Sequence, residues 1–308
     1  MAIYKKERFG IARKIVSNMT AESWETIPHA VVSYEADVTE FMKEYKKLNE
    51  GCTDKAKKIS INTVVMKIIC EGLMAAPKMN CHLKFERQLV RGKLLYHNRV
   101  NVSMPVVLPD GRMMTVNLRH MESKSLLKMT EIINDTMRRM QNTNMDEAMF
   151  EVSLDNTLKG LKKGKIKQAV LRLIGSKTGK HKVRTLKGKA KKQYYSIPER
   201  DRLTKKDIEQ GTVTISNLGS IHRDQTGMCF LLEIIPPQVT AIAVHAVRKQ
   251  PTVVTDENGN DTIAIREILP LTIAFDHKAL DYCDVLPFMK RLDEIFANPS
   301  VIHDWKGE

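Results

Sequence analysis

Apolar and polar positions alternate regularly through the first part of the chain. The segment HAVVSYEADV at residues 29–38 alternates as a half-buried strand does. The next segment, VTEFMKEYKKL, repeats its apolar positions at Phe41, Tyr45 and Leu48, which is the spacing of one helix face. A second helix is predicted over SINTVVMKIICEGLMAAP, with Ser60 as its N-cap and Pro77 as its stop.

The remaining ordered segments continue this mixture of strands and helices. RVNVSMPVVLPDGRMMTVNL predicts a hairpin that turns at Pro109, Asp110 and Gly111, and SLLKMTEIINDTMRRMQ predicts a long amphipathic helix. Beyond residue 197, three segments predict strands: GTVTISNLGS, QVTAIAVHAV and DTIAIREILPLTIAFDH. CDVLPFMKRLDEIFANP predicts a final helix. Together these patterns indicate an α/β fold with a mixed sheet in a single domain over residues 1–308.

The middle of the chain breaks this pattern. Residues 143–196 are rich in lysine and glycine, and only IKQAVLRLIG predicts a short basic helix, the rest being expected as loop. Residues 159–193 hold 14 Lys or Arg and no Asp or Glu, which equals the whole net charge of +14. The protein is therefore neutral apart from one basic segment, which we interpret as an insertion over residues 142–199.

Composition limits the class of protein. A chain of 308 residues with 42% hydrophobic and 28% charged residues is ordinary for a globular protein, and it contains no apolar run of 18 residues. The start of the sequence has no apolar core typical of a secretion signal. The five cysteines form no CxxC pair, so neither a disulfide framework nor a metal site is predicted. We expect a cytoplasmic protein.

Two segments carry candidate chemistry. In FDHKALDYCD, His277 follows a predicted strand and could act as a general base, with Asp281 four residues on; the alternative is a surface turn with two solvated groups. In TVTISNLGS, Ser216 ends a strand and could donate to an oxyanion. The alternative there is that Ser216 and Asn217 start a turn through local hydrogen bonds.

Read together and in order, these segments resemble a known family. GTVTISNLGS, PPQVTAIAVHAV and LPLTIAFDHKALDYCD resemble the second half of the catalytic domain of dihydrolipoamide acyltransferases from 2-oxo acid dehydrogenase complexes. Ser216 and His277 are 61 residues apart, close to the spacing in that family. IARKIVSNMTAESWETIPHAVVSYEADVTEF and KISINTVVMKIICEGLMAAPKMN resemble its first half.

The resemblance implies a fold, a reaction and roles for residues. The fold would be a two-layer sandwich similar to chloramphenicol acetyltransferase. His277 would take the thiol proton of coenzyme A or dihydrolipoamide, Ser216 would bind the oxyanion, and Asp281 would shape the histidine loop. Asn217 is a weaker candidate for contact with coenzyme A. A homotrimer with sites between subunits is implied. Members of the family carry a lipoyl domain before the catalytic domain, whereas this chain begins at the catalytic domain, so we expect a standalone form without a lipoyl domain and without bound lipoate.

One departure keeps other functions open. The family signature has a glycine after the aspartate, whereas this chain has Tyr282. A side chain there is costly if the backbone needs a positive φ. The favoured hypothesis is a coenzyme A-dependent acyltransferase acting on a thiol, hydroxyl or amine. The alternatives are a non-catalytic trimeric scaffold with a degenerate site, and an antibiotic O-acetyltransferase.

The basic insertion has several possible partners. An acidic partner protein or the phosphates of coenzyme A fit its charge, and an anionic membrane surface fits the basic amphipathic segment IKQAVLRLIG. Nucleic acid is less favoured, because aromatic residues occur only at its end, as Tyr194 and Tyr195. A solvated loop with no partner is the plainest alternative.

Overall fold

The computed structural model describes residues 3–108, 111–162, 164, 166–221, 224 and 227–307. Its α-helices are α1 Ile11–Thr26, α2 Thr39–Leu48, α3 Ile61–Ala75, α4 Leu126–Gln141, α5 Met145–Lys162, α6 Ile166–Lys177, α7 Gly188–Ser196, α8 Lys205–Ile208 and α9 Tyr282–Ala297. Its strands are β1 His29–Asp37, β2 Cys81–Glu86, β3 Arg91–Tyr96, β4 Val102–Val107, β5 Met113–Leu118, β6 Val213–Asn217, β7 Thr240–Val244, β8 Arg248–Thr255 and β9 Asp261–Asp276.

The chain divides into two compact units. One consists of Met1–Glu22 and Asp135–Gln210, and it is helical. The other consists of Ser23–Asn134 and Gly211–Glu308, and it holds both sheets. No helix among the described residues is long and apolar enough to cross a bilayer.

A seven-stranded mixed sheet forms the frame of the second unit. Its order is β1-β9-β7-β6-β4-β5, and β8 pairs with the outer part of β9. β6 runs parallel to β4 and β7, whereas β9 runs antiparallel to β1, β7 and β8. The predicted mixed α/β architecture is confirmed.

The long strand β9 has two differently buried halves. Ile268–Asp276 lies between β1 and β7, and nearly all of it is buried. The preceding residues pair only with β8, and Ile263 and Ile265 stay largely exposed there. β8 and the outer half of β9 therefore form a two-stranded ribbon that extends from the sheet.

Close helix packing fixes α9, the helix that follows the candidate histidine. α9 packs against α3 and β1, and it buries Val285, Phe288 and Leu292. A Cβ atom at Gly72 of α3 would lie 2.6 Å from a Phe288 ring carbon, so only glycine permits this approach.

Most of the predicted elements of this unit are confirmed. Ser60 caps α3 by accepting a hydrogen bond from the Thr63 amide at 3.1 Å. The predicted hairpin is the antiparallel pair β4–β5. Of its predicted turn, Gly111 has the expected positive φ of 78°, and Pro109 and Asp110 lie outside the described residues.

The prediction of loop over most of residues 143–196 is wrong. The segment IKQAVLRLIG does form a helix, α6, but α5 and α7 are helical as well. Asn144 caps α5 through its side-chain oxygen, which accepts from the Glu147 amide at 3.0 Å. Lysine favours helices, and Gly160 lies inside α5, so neither the lysines nor the glycine prevented helix formation.

Candidate active site

The turn that carries His277 is held by backbone hydrogen bonds at the end of β9. The His277 amide donates to the carbonyl of Pro28 at 3.0 Å, because β1 and β9 pair with His29 opposite Asp276. The carbonyl of Asp276 accepts from the amides of Ala279 and Leu280 at 2.9 and 3.1 Å. Two segments that are distant in sequence, TIPH and FDHK, thus lie side by side.

Asp276 supplies a second anchor for this turn. It is almost fully buried, and its Oδ1 accepts from the Lys278 amide at 3.0 Å. Its Oδ2 lies 3.4 Å from the Lys278 ammonium, which also donates to the Thr26 carbonyl. Sequence reasoning overlooked Asp276, since a carboxylate at a strand end gives no sign of being buried.

The imidazole of His277 is oriented by the chain just after it. Its Nδ1 lies 3.1 Å from the carbonyl oxygen of Leu280. A carbonyl only accepts hydrogen bonds, so Nδ1 carries the proton, and Nε2 keeps its lone pair in the neutral ring. The side chain is 56% exposed, so solvent or a substrate can reach it.

Asp281 lies near His277 and also begins α9. Its Oδ1 is 3.5 Å from Nδ1 of His277, which is the same nitrogen that bonds to the Leu280 carbonyl. Asp281 is the N-cap of α9, and its amide donates to Asp284 at 3.0 Å as one half of a capping box. Hydrogen bonds from Lys78 and the Asp281 amide lower the pKa of Asp284. The Asp284 carboxylate is therefore favoured in its ionised form, and its bond with the Asp281 amide is charge-assisted.

Tyr282 fits without backbone strain. It is the first residue of α9, and its side chain is half exposed. Among the described residues other than glycine, a positive φ occurs only at Val90 and His120. The position therefore needs no left-handed conformation here, and a tyrosine is tolerated in place of the signature glycine.

Ser216 lies at the carboxyl end of β6, on the half-buried face that it shares with Thr214. The Thr214 hydroxyl donates to Oε1 of Gln238 at 2.7 Å, and Gln238 is itself buried. Among the described residues, the Ser216 hydroxyl has no hydrogen-bond partner within the chain.

The turn after Ser216 uses Asn217 and Gly219. The Asn217 side-chain oxygen accepts from the Ser220 amide at 2.8 Å, so Asn217 starts the turn. A Cβ atom at Gly219 would lie 2.6 Å from the Ala246 nitrogen, so the turn packs on the chain after β7 only because this residue is glycine.

Other histidines of this unit are held in local structure. His245 is buried and bonds to the Thr272 hydroxyl at 3.0 Å. His29 has both ring nitrogens engaged, with Ile27 and Ser23 among its partners. The rings of His82 and His97 meet edge to face, with centroids 4.2 Å apart. Burial and the neighbouring His97 lower the pKa of His82 to about 4. No group of three potential metal ligands occurs among the described residues.

Within one chain, Ser216 and His277 lie at opposite ends of the strands, because β6 and β9 run in opposite directions and each residue lies at or just after the carboxyl end of its strand. Ser216 is opposite Ala243 of β7, which is opposite Thr272 of β9, five residues before His277. At about 3.4 Å per residue and about 4.8 Å per strand, the two Cα atoms are about 19 Å apart. A single chain does not bring them together.

Comparison with known proteins defines the family. The model of the 2-oxoacid dehydrogenases acyltransferase catalytic domain matches residues 4–153 and 182–303. The chain belongs to this acyltransferase family. The resemblance recognised in the sequence motifs is confirmed, and the unmatched residues 154–181 lie within the predicted insertion.

Relatives and solved structures agree with this membership. The dihydrolipoyllysine-residue acetyltransferase component of the pyruvate dehydrogenase complex of Rickettsia bellii is 23% identical over 94% of this chain and 52% of its own length. The chain thus spans about half the length of the curated relatives it matches. The structure of the cubic core of a pyruvate dehydrogenase multienzyme complex is 18% identical, with a TM-score of 0.66 over 98% of this chain and 94% of that one.

A second solved structure of the same fold is dihydrolipoamide acetyltransferase from Azotobacter vinelandii. It is 18% identical, with a TM-score of 0.66 over 98% of this chain and 94% of that chain. These similarities to solved structures establish the fold of this acyltransferase family member, whereas the roles of His277, Ser216 and Asp281 stay predictions.

Proposed function

We propose that the protein is an acyltransferase that moves an acyl group between coenzyme A and a thiol, hydroxyl or amine acceptor. Nε2 of His277 removes the proton from the attacking thiol, hydroxyl or amine. The attacking atom adds to the carbonyl carbon of the acyl thioester, and the resulting oxyanion accepts a hydrogen bond from Ser216. The intermediate then expels the thiolate of the donor, which takes the proton back from His277.

The orientation of the imidazole carries this proposal. The bond from Nδ1 of His277 to the Leu280 carbonyl selects the tautomer whose Nε2 is a proton acceptor. Because the ring is also more than half exposed, the basic nitrogen can meet a substrate rather than a fixed internal partner.

Work on a relative supports the choice of residues. In Azotobacter vinelandii dihydrolipoamide acetyltransferase, a serine, a histidine and an asparagine four residues after the histidine were investigated for their role in catalysis. His277 and Asp281 have the same spacing, and dihydrolipoamide is accordingly the first acceptor to test. Coenzyme A enters as a substrate.

We further propose that the site forms between copies of the chain in a homotrimer. The separation of about 19 Å between Ser216 and His277 requires that each be completed by a second chain. The ribbon of β8 and β9 supports such contact, because Val253, Ile263 and Ile265 expose an apolar surface there. In a closed ring, every His277 can meet the Ser216 of the next chain.

Mass spectrometry of acyl transfer tests the proposal. Purified protein is incubated with a panel of acyl-coenzyme A donors and dihydrolipoamide, beside His277→Ala and the control His181→Ala, which removes an exposed histidine of the other unit. We expect His277→Ala to lose about a hundredfold to ten-thousandfold in rate. Unchanged turnover in His277→Ala contradicts the mechanism, and absence of transfer to any thiol, hydroxyl or amine contradicts the activity.

A further inference from the structure

Helix α6 presents apolar side chains on two sides. Ala169 is buried and Leu173 is half-buried, and this side packs against α5. Ile166, Val170 and Ile174 follow at helical spacing on another side, where they are 62%, 44% and 51% exposed, and Leu171 beside them is 59% exposed. We call these four residues the α6 stripe.

The ends of α6 are fixed to the same helical unit, so the stripe has a defined position on it. The Lys14 ammonium donates to the carbonyl of Gly175 at 2.8 Å. The Val183 amide donates to the Ser176 carbonyl at 2.8 Å. This second contact brings the basic segment that follows α6 back onto its carboxyl end.

Cations lie on α6 and in the segments next to both of its ends. Lys167 and Arg172 lie on α6 itself, Lys162 ends α5 just before it, and Lys180 and Lys182 lie in the segment fixed to its carboxyl end. Within the part of the chain that the structure describes, these five cations form no ion pair.

The acidic groups of α5 do not neutralise these cations. Asp155 binds Lys159 and Lys205 at 2.9 and 2.6 Å, and Glu147 binds Lys191 at 3.1 Å. Glu151 accepts from the Tyr195 hydroxyl. These three acidic side chains are thus engaged with other partners, and the five cations near the α6 stripe keep their positive charge.

We propose that the α6 stripe and its flanking cations bind the surface of an anionic phospholipid bilayer. Aliphatic side chains on one exposed helix can enter the boundary between headgroups and acyl chains, while lysine and arginine meet anionic headgroups. Nucleic acid would use the cations but would leave four aliphatic side chains in water. This inference goes beyond the acyl transfer proposed above and does not depend on it.

Vesicle binding by the full chain tests this proposal. Vesicles of phosphatidylcholine mixed with an equal part of phosphatidylglycerol are compared with phosphatidylcholine alone in a sedimentation assay. We expect binding to the anionic vesicles only, and weaker binding as salt is raised. The variant Val170→Ser with Ile174→Ser is expected to bind at least about tenfold less. The control is Leu89→Ser with Val90→Ser, which removes two exposed aliphatic side chains from the other unit.

A tryptophan placed in the stripe distinguishes insertion from adsorption. The indole introduced by Leu171→Trp is expected to shift its emission to the blue on anionic vesicles and to be quenched by brominated acyl chains. The proposal is overturned by no binding to anionic vesicles, by equal binding of the Val170→Ser, Ile174→Ser variant, or by an indole emission in the Leu171→Trp variant that stays unquenched. If the Val170→Ser, Ile174→Ser variant instead changes only the oligomeric state of the protein without lipid, the stripe is a contact between two copies of the chain. The proposal is then also wrong.

Discussion

His277 and Leu280 are three residues apart, and the turn between them decides which imidazole nitrogen can act as a base. The Leu280 carbonyl fixes the proton on Nδ1, while Asp276 and the Pro28 carbonyl fix the backbone. The side chain of Leu280 has no part in this arrangement, because the contact is made by its backbone. Substituting Leu280 would alter core packing but would leave this acceptor in place.

At Ser216, loss of the hydroxyl is expected to slow the chemical step. We expect Ser216→Ala to reduce kcat about a hundredfold to a thousandfold with little change in KM, since an oxyanion forms only during reaction. The measurement is steady-state acyl transfer to dihydrolipoamide. Ser220→Ala, which changes a hydroxyl in the exposed turn beside it, is the control and should stay near the parent rate. If Ser216→Ala and Ser220→Ala lose kcat equally, the substitutions act by disturbing the turn and not by removing a hydrogen bond to the oxyanion.

Sequence patterns located the candidate site but not its geometry. His277 and Ser216 could be predicted because each is a polar residue placed directly after or at the end of an apolar strand pattern. The Leu280 carbonyl could not be predicted, since every residue carries one. The engagement of Asn217 in the turn was weighed as an alternative, and it is what the structure shows.

The start of α9 couples helix stability to the histidine turn. We expect Asp281→Ala to lower the free energy of unfolding by about 0.5–2 kcal/mol, because the N-cap of α9 is lost. Asp281→Asn keeps a capping oxygen and should lose much less. Urea denaturation of both variants measures the difference. If Asp281→Asn keeps stability but loses acyl transfer, the negative charge beside Nδ1 acts on His277; equal activity in Asp281→Asn and the parent would contradict such a role.

In the helical unit, Asp207 predicts a pH dependence of stability. Burial raises the pKa of Asp207, but hydrogen bonds from Arg139 and Thr204 outweigh burial and lower that pKa overall. A lowered pKa in the folded state gives stability that is complete above about pH 4, the unfolded value, and is lost as pH falls further. We expect Asp207→Asn to cost about 1–3 kcal/mol at neutral pH.

The check is a series of denaturation curves from neutral to acid pH. The difference in unfolding free energy between the parent and Asp207→Asn should narrow below about pH 4, because the carboxylate of the unfolded parent takes up a proton there and the folded one only at lower pH. Asp201→Asn, whose pair with Arg138 is more exposed, is the matched control and should cost at most about 1 kcal/mol. If the difference in unfolding free energy between the parent and Asp207→Asn is constant with pH, the charge of Asp207 contributes nothing to stability.

Strands and helices were predictable where burial of one or both faces produces a regular pattern of apolar positions, and less predictable elsewhere. β1, β7 and β6 show alternating or continuous apolar patterns because one or both faces are buried. α5 and α7 were missed, since they are held partly by polar contacts such as Glu147 with Lys191. The hairpin β2–β3 and strand β8 were also missed, and both are mostly exposed.

At the scale of the whole molecule, the opposite placement of Ser216 and His277 makes a sharp prediction. Mixed assemblies of Ser216→Ala and His277→Ala chains should recover activity, because an intact His277 of one chain can meet an intact Ser216 of another. With equal, random mixing in a closed trimer, about a quarter of all sites are intact, and in the mixed trimers that carry both tags one site in three is intact. Co-expression of the two variants with different tags, followed by purification through both tags, provides the sample.

In the control sample, the two variants are purified separately and then mixed, so that their assemblies do not exchange chains. This sample should stay inactive. Analytical ultracentrifugation of the parent establishes the size of the assembly. An inactive co-expressed sample, with assembly intact, would contradict a site shared between chains. Ile263→Asp with Ile265→Asp should weaken assembly and activity together if the β8–β9 ribbon contributes to the contact.

The distance between Ser216 and His277 within one chain has a further consequence for how the protein behaves in dilute solution. If each chain holds only half of two different sites, a newly made chain is silent until it meets others. Its specific activity should then fall on dilution and rise more steeply than linearly with the amount of protein, until assembly is complete. The rate at which chains encounter one another would set the lag between synthesis and the first turnover.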